Sequence, residues 1–239
     1  MAQNALNKRK NELFGLIVRE YIASADPIGS EFLRQKYHLD LSPATIRNEM
    51  AELTELGLLN KPHTSAGRIP TEAGYRYFIA NCLEERDNEK FFDVIQSFLA
   101  TPSDVEKKIK RLAKEMADML QSGVFVSLNT EETYYTGLGY LFSQPEFQSY
   151  DLVCDLSAVL DKLDDVMGEM MNKRINDLEI LLGQENPFGP ACATLLLPYR
   201  QEDNVSGIFG VFGPMRMDYE KTVPLMKEIK KILKSCVNQ

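Results

Sequence analysis

Residues 42–76 read SPATIRNEMAELTELGLLNKPHTSAGRIPTEAGYR, and their pattern decides the N-terminal fold. Ser42 followed by Pro43 is a helix start: a hydroxyl that can cap free N–H groups, then a proline whose φ already suits the first helical position. Ile46, Met50 and Leu53 recur at i, i+4 and i+7, so one stripe faces a core. The opposite face carries Ala44, Asn48, Ala51 and Glu55, with Arg47 on its flank. Small, basic and amide groups therefore gather at the N-terminal end, while Glu52 and Glu55 come later. That layout suits a helix entering a DNA major groove by its first turns. An asparagine such as Asn48 can bond an adenine edge twice, Arg47 a guanine edge or a phosphate, and Ala44 permits close approach. Gly57 closes the helix, Leu58-Leu59 begin a short strand, and Lys61 to Arg68 form a polar, basic tip. Pro70-Thr71 then opens another helix. Helix, basic hairpin, helix is a winged arrangement, with the wing laid along the phosphates. The candidate DNA-binding residues are Ser42, Ala44, Thr45, Arg47 and Asn48 in the helix, with Lys61, His63, Thr64 and Arg68 in the wing.

Upstream, Leu6, Leu13, Leu16, Ile17 and Tyr21 predict an amphipathic helix over 6–24, with Lys8-Arg9-Lys10 exposed. Ser30 starts a short second helix, and His38 to Leu41 form the turn, so residues 30–56 make a helix-turn-helix. Residues 84–90 are a charged break before an apolar face of Phe91, Phe92, Ile95, Phe98 and Leu99. Val105, Ile109, Leu112, Met116 and Met119 step by 4, 3, 4, 3. That spacing serves a subunit contact or ordinary core packing.

From Gly123 the period changes. Strands are predicted at Val124–Leu128, Tyr134–Phe142, Leu178–Leu182, Cys192–Pro198 and Gly207–Phe212, with helices over 151–171 and about 218–236. A largely antiparallel sheet flanked by helices follows. The fold class is α+β, in three parts: a winged helix-turn-helix over 1–83, a helical connector over 84–121 and an α/β domain over 122–239.

With 239 residues, 44% hydrophobic and 26% charged, the chain has an ordinary globular composition. No apolar run nears 18 residues and no signal-peptide pattern opens the chain, which predicts a cytoplasmic protein without a membrane partner. Cys82, Cys154, Cys192 and Cys236 form no CxxC and read as buried, reduced thiols. The net charge of −8 divides unevenly. Residues 1–80 hold ten Lys/Arg against nine Asp/Glu, so the head is +1 and the remainder −9. Such a molecule approaches DNA head first.

Chemistry is sparse. His38 and His63, in unrelated turns, support neither a catalytic pairing nor a histidine metal site, and no cofactor is implied. Gly207, Gly210 and Gly213 do not fit a phosphate loop and read as close backbone packing. Gly183-Gln184-Glu185-Asn186-Pro187 is a polar loop, a structural turn or the seat of a small ligand. The latter would make the chain a small-molecule-responsive regulator, the alternative to a repressor without a ligand.

With these residues in place, the chain resembles the HrcA-type heat-inducible transcription repressors of bacteria. The likeness spans 8–80, through SPATIRNEMAELTELGLL and PHTSAGRIPTEAGYR. It resumes over 138–237, through Gln144-Pro145-Glu146-Phe147, Gly183-Gln184-Glu185-Asn186 and Gly213 to Tyr219. The resemblance implies a winged-helix domain, a GAF-like C-terminal domain, and a dimerising domain inserted into the latter. It also implies repression of chaperone operons by a homodimer on an inverted-repeat operator, dependence on the GroEL chaperonin, and no enzymatic activity. Residues 121–135 join Gln121 almost directly to the QPEF region, so most of the inserted domain is missing here.

Overall fold

Asn7 caps the first helix by accepting from Lys10 N at 2.9 Å, and the chain of the computed structural model then runs through two separate units, Met1–Glu84 and Glu85–Gln239. The described residues are 6–63, 67–84, 105–127, 132–172, 175, 177–201 and 204–237. Thr64 and the apolar face from Phe91 to Leu99 lie outside them.

The first unit contains α1 (Lys8–Ser24), α2 (Ser30–Tyr37), α3 (Pro43–Glu55), β1 (Leu59–Asn60), β2 (Ile69–Pro70) and α4 (Glu72–Asn81). β1 and β2 pair antiparallel, Leu59 opposite Pro70. Leu13, Phe14, Ile17 and Val18 of α1 are buried with Leu33, Ile46, Met50, Leu53 and Phe78. Each such side chain contributes about 1.5–3 kcal/mol by leaving water. The Phe14 and Tyr77 rings meet edge to face at 5.6 Å.

Acidic groups brace this core. Glu20 is buried on α1 and accepts from Lys36 Nζ at 2.7 Å and from the Tyr37 hydroxyl. Burial alone would raise the Glu20 carboxyl, but Lys36 and Tyr37 outweigh it and hold it below the ordinary carboxylate range. Burial and the Glu20 carboxylate push the Tyr37 phenol up to about 12. A lowered carboxyl binds fewer protons folded than unfolded. Its stabilisation is complete above the unfolded value, roughly pH 4.3, and is lost as pH falls through the folded one. Protection of the α1 amides, taken relative to unstructured exchange at the same pH, should fall below about pH 4, and Glu20→Gln should flatten that acid limb at lower overall protection. An unchanged acid limb in the variant would assign the effect to another carboxylate.

The second unit begins its described part with α5 (Val105–Leu120), followed by β3 (Gly123–Ser127), β4 (Thr133–Thr136) and α6 (Leu138–Phe142). A 3-10 turn at Pro145–Gln148 leads to α7 (Tyr150–Leu160), α8 (Leu163–Asn172) and β5 (Glu179–Leu182). β6 (Cys192–Gln201), β7 (Asn204–Pro214) and α9 (Tyr219–Val237) complete it. The five strands lie in the order β4-β3-β7-β6-β5, every pairing antiparallel. Alternation along the strands sends Val124, Val126, Leu195, Leu197, Phe209 and Val211 to the face covered by α5 and α9. Phe125, Leu196, Ile208 and Phe212 point the other way, into a core closed by α6, α7 and α8. The mixed α+β class therefore holds.

Three sequence expectations are corrected, and one open choice is narrowed. Of the two readings of the stripe at Ile109, Leu112 and Met116, its burial within this single unit favours core packing. The strand predicted through Phe142 stops at Thr136. Gly137 sits in the left-handed region, φ 80°, where an added Cβ would stand 2.3 Å from the Ser122 carbonyl oxygen, and Leu138 to Phe142 coil into α6. The helix predicted over 151–171 divides in two at a tight turn in which Lys162 N donates to Val159 O. Cys154 is exposed, unlike Cys82 and Cys192.

Close backbone packing at Gly207 and Gly210 holds. Phe125 lies opposite Gly210 and Phe212 opposite Gly123, and each ring lies over the glycine. A Cβ on Gly210 would fall 2.1 Å from the Phe125 ring. Gly207 abuts the Ser127 carbonyl oxygen, while Gly213 is covered less closely. The two distant motifs also meet: the Arg216 guanidinium grips Glu146 at 2.5 and 3.2 Å and Gln144 at 2.8 Å.

Candidate nucleic-acid interface

The reading helix is built as its sequence dictates. Ser42 Oγ accepts from Thr45 N at 3.0 Å, Pro43 opens the helix, and Ile46, Met50 and Leu53 are buried. Ala44, Arg47 and Asn48 are exposed on the outer face. Ser42 and Thr45 are less free than their types suggest, because the two hydroxyls lie 2.9 Å apart and serve the cap. Lys61 and His63 are exposed on the wing.

Arg68 departs from the expectation of an open wing cation. Its backbone pairs in both directions with Ile28, Ile28 N to Arg68 O at 2.9 Å and Arg68 N to Ile28 O at 2.8 Å. Its Nε donates to Thr54 Oγ1 at 3.0 Å, and the Thr54 hydroxyl donates to Met50 O at 2.7 Å. The side chain is half-buried. Next to it, a Cβ on Gly67 would stand 2.2 Å from Ile28 O. The returning edge of the wing is thereby seated on the loop before α2 and on the last turn of α3.

Arg47, Lys61 and Arg68, with Phe32 and Met50, line one open groove of about 510 Å³. Glu31, an acid on its rim, is turned to Arg34 and Gln35, each at 2.8 Å, and Arg34 first among them holds it below the ordinary carboxylate range. The groove stays net positive.

The other cations of the head each lie within 4.0 Å of an acid. Lys8 pairs with Glu12, Arg9 with Glu49, Lys10 with Glu52, Arg19 with Glu84, Arg34 with Glu31, Lys36 with Glu20 and Arg76 with Glu72. Lys8-Arg9-Lys10 is therefore not a free basic patch, since two of its members hold α1 to α3. Among the described residues, Arg47, Lys61 and Arg68 make no ion pair, and all three line the same groove; of them only Arg68 is tied by a side-chain hydrogen bond, to the Thr54 hydroxyl. Sequence reasoning missed Glu49 and Glu52 as braces. Glu49 betrays itself only by falling next to Met50 on the inner side of the helix.

The loop at Glu185-Asn186 is closed as a binding site. Asn186 is buried; its amide donates to Leu181 O at 3.1 Å and Thr194 Oγ1 at 3.0 Å, and its oxygen accepts from Phe188 N at 2.9 Å. Glu185 accepts from Leu182 N at 3.2 Å. Among the described residues no cluster of histidine, cysteine or acidic side chains could hold a metal ion, and no helix is long and apolar enough to cross a membrane.

Comparison with known proteins places these features in company. Residues 76–223 match the family model described as the HrcA protein C-terminal domain. The heat-inducible transcription repressor HrcA of Moorella thermoacetica is 24% identical over 340 aligned positions that cover 98% of both chains. This chain has 239 residues, so the alignment steps over a long stretch of that relative that is absent here. The repressor HrcA of Desulfitobacterium hafniense reaches 51% identity over 83 residues, 35% of this chain and 24% of that one. A crystal structure of a hypothetical protein at 2.2 Å resolution matches with a TM-score of 0.74 and 17% identity, over 97% of this chain and 99% of the other. At that identity the likeness is one of fold.

Proposed function

The chain is a shortened member of the HrcA family of heat-inducible transcription repressors, and from that premise we propose that it represses chaperone operons by binding an inverted-repeat operator as a homodimer. The named relatives are transcription repressors, and this chain is a regulator of transcription rather than an enzyme. The observation that carries the DNA reading is the distribution of cations. Most of the head's Lys and Arg are paired with acids, while Arg47 and Lys61 stand open on the face that also presents Ala44 and Asn48. In this reading Asn48 and Arg47 meet base edges, Lys61 and His63 meet phosphates, and Ser42 and Thr45 hold the helix end. Thr64, the remaining wing candidate from the sequence, lies outside the described residues. The family resemblance supports dependence on GroEL in the cytoplasm. A ligand-sensing role is disfavoured because the groups of Asn186 already bond one another's neighbours.

Asn48→Ala should relax discrimination at particular base pairs, by roughly 1–3 kcal/mol for a lost two-bond contact. Lys61→Ala should weaken selected and random duplexes alike. Binding curves on both duplexes decide it: an Asn48→Ala variant that loses the same factor on each would make that residue something other than a reader.

A further inference from the structure

We propose that Arg68 is a positioning residue, a strut that sets the wing against the reading helix by acting through Thr54 and not as a ligand of DNA phosphate. The proposal rests on the repressor reading above. It also reassigns one of that reading's own candidate residues.

Three observations converge on it. The Arg68 Nε–H is directed at Thr54 Oγ1, and the Thr54 hydroxyl proton is in turn directed at Met50 O, so the guanidinium ends a donor chain running into the backbone of α3. The Arg68 backbone is clamped at both N–H and C=O by Ile28. Gly67 allows that clamp, because any Cβ would strike the Ile28 backbone. Arg68 therefore ties three segments together: the loop before α2, the last turn of α3 and the returning edge of the wing. Its neighbours in the groove behave differently: none of the three makes an ion pair among the described residues, but only Arg68 has its side chain bonded to the protein, and Arg47 and Lys61 remain available to an anion.

The geometry separates the strut from a phosphate contact. Lysine can replace arginine on a phosphate only as a point charge without the two-pronged grip, so the variant that separates the two roles is the one at Thr54, to which a phosphate contact is indifferent. The donor to Thr54 is Nε, part-way along the side chain, where lysine has only a methylene. A strut therefore requires arginine at 68 and a hydroxyl at 54. The Thr54 hydroxyl is only half exposed at the far end of α3 from Ser42, and a phosphate role for Arg68 gives it no part in binding.

The test uses the full chain and a duplex that the wild-type chain selects from a randomised library, with a random duplex of equal length beside it. Arg68→Lys and Thr54→Val should each lower the preference for the selected duplex about 3- to 10-fold, the value of one directed hydrogen bond. The double variant should lose no more than either alone. Thr54→Ser, which keeps the hydroxyl, should restore wild-type preference. The dependence of affinity on salt should stay unchanged in all of them. The strut is overturned if Arg68→Lys binds as the wild type does, or if Thr54→Val has no effect while Arg68→Ala lowers the salt slope by about 1. Circular dichroism accompanies each variant, and Thr54→Ser guards against a loss caused by misfolding. If the wild-type chain selects no duplex at all, the repressor reading fails first and the strut falls with it.

Discussion

Replacing Ile109 and Leu112 together by aspartate is expected to unfold the C-terminal unit. Both side chains are almost fully buried where α5 packs on the sheet, beside Ala113 and Met116. Truncating one such residue costs about 2–5 kcal/mol through lost burial and the cavity left behind. A carboxylate in that place adds several kcal/mol for an unpaired buried charge, or the cost of a raised pKa if it stays neutral. Two such changes exceed the roughly 5–15 kcal/mol that holds a domain together. Circular dichroism should lose its sheet signal, and sedimentation should report an expanded or aggregated chain. A folded monomer bearing both aspartates would instead return this stripe to the role of a subunit seam.

Gly67→Ala should be the most damaging single methyl group in the head. The new Cβ would lie 2.2 Å from Ile28 O, 2.3 Å from its carbonyl carbon and 2.7 Å from its nitrogen. All three are backbone atoms, so no rotamer change relieves the overlap. The clamp between Ile28 and Arg68 must open, giving up two hydrogen bonds worth about 1 kcal/mol each. About 2 kcal/mol corresponds to a roughly 30-fold loss of affinity if the clamped wing is the binding form. The expected result is a head that keeps its helices, melts several degrees lower, and binds the selected duplex about 30-fold more weakly. Wild-type affinity in this variant would mean that a clamped wing is not needed for binding.

The parts of this protein legible in the sequence are those decided within a few residues. The α3 cap, its buried stripe and its outward face follow from Ser42, Pro43 and a 3.6-residue period, and the structure reproduces them. What failed depended on partners far along the chain. Arg68 reads as a wing cation until Thr54, fourteen positions away in sequence, supplies an acceptor. Lys10 reads as an exposed base until Glu52 meets it. The stripe from Ile109 to Met116 shows the same limit. A 4-3 period reveals that a face is covered, but the cover can be a second subunit or the chain's own sheet. In the run from Tyr134 to Phe142, alternating apolar residues concealed a chain reversal that only the left-handed Gly137 makes plain. Close packing at Gly207 and Gly210 was legible because those glycines fit no phosphate loop, although the covering groups, Phe125 and the Ser127 carbonyl, were not.

The internal pairing of the head's cations bears on how such a protein finds its target. Affinity for arbitrary duplex comes almost wholly from counterions released by unpaired Lys and Arg, about 0.9 of a log unit per log unit of salt for each phosphate neutralised. With seven of the first ten cations within 4.0 Å of an acid, and with Arg68 acting as the strut proposed above, one head would offer two contacts, Arg47 and Lys61. The slope would be about −1.8 for one head and about −3.6 for the two heads of the proposed homodimer, below that of heavily charged repressors. A grip that loose gives short residence on foreign sequence and little one-dimensional sliding. On that reading the search would proceed by repeated dissociation and re-encounter through solution, with only a small share of the molecules held on genomic DNA.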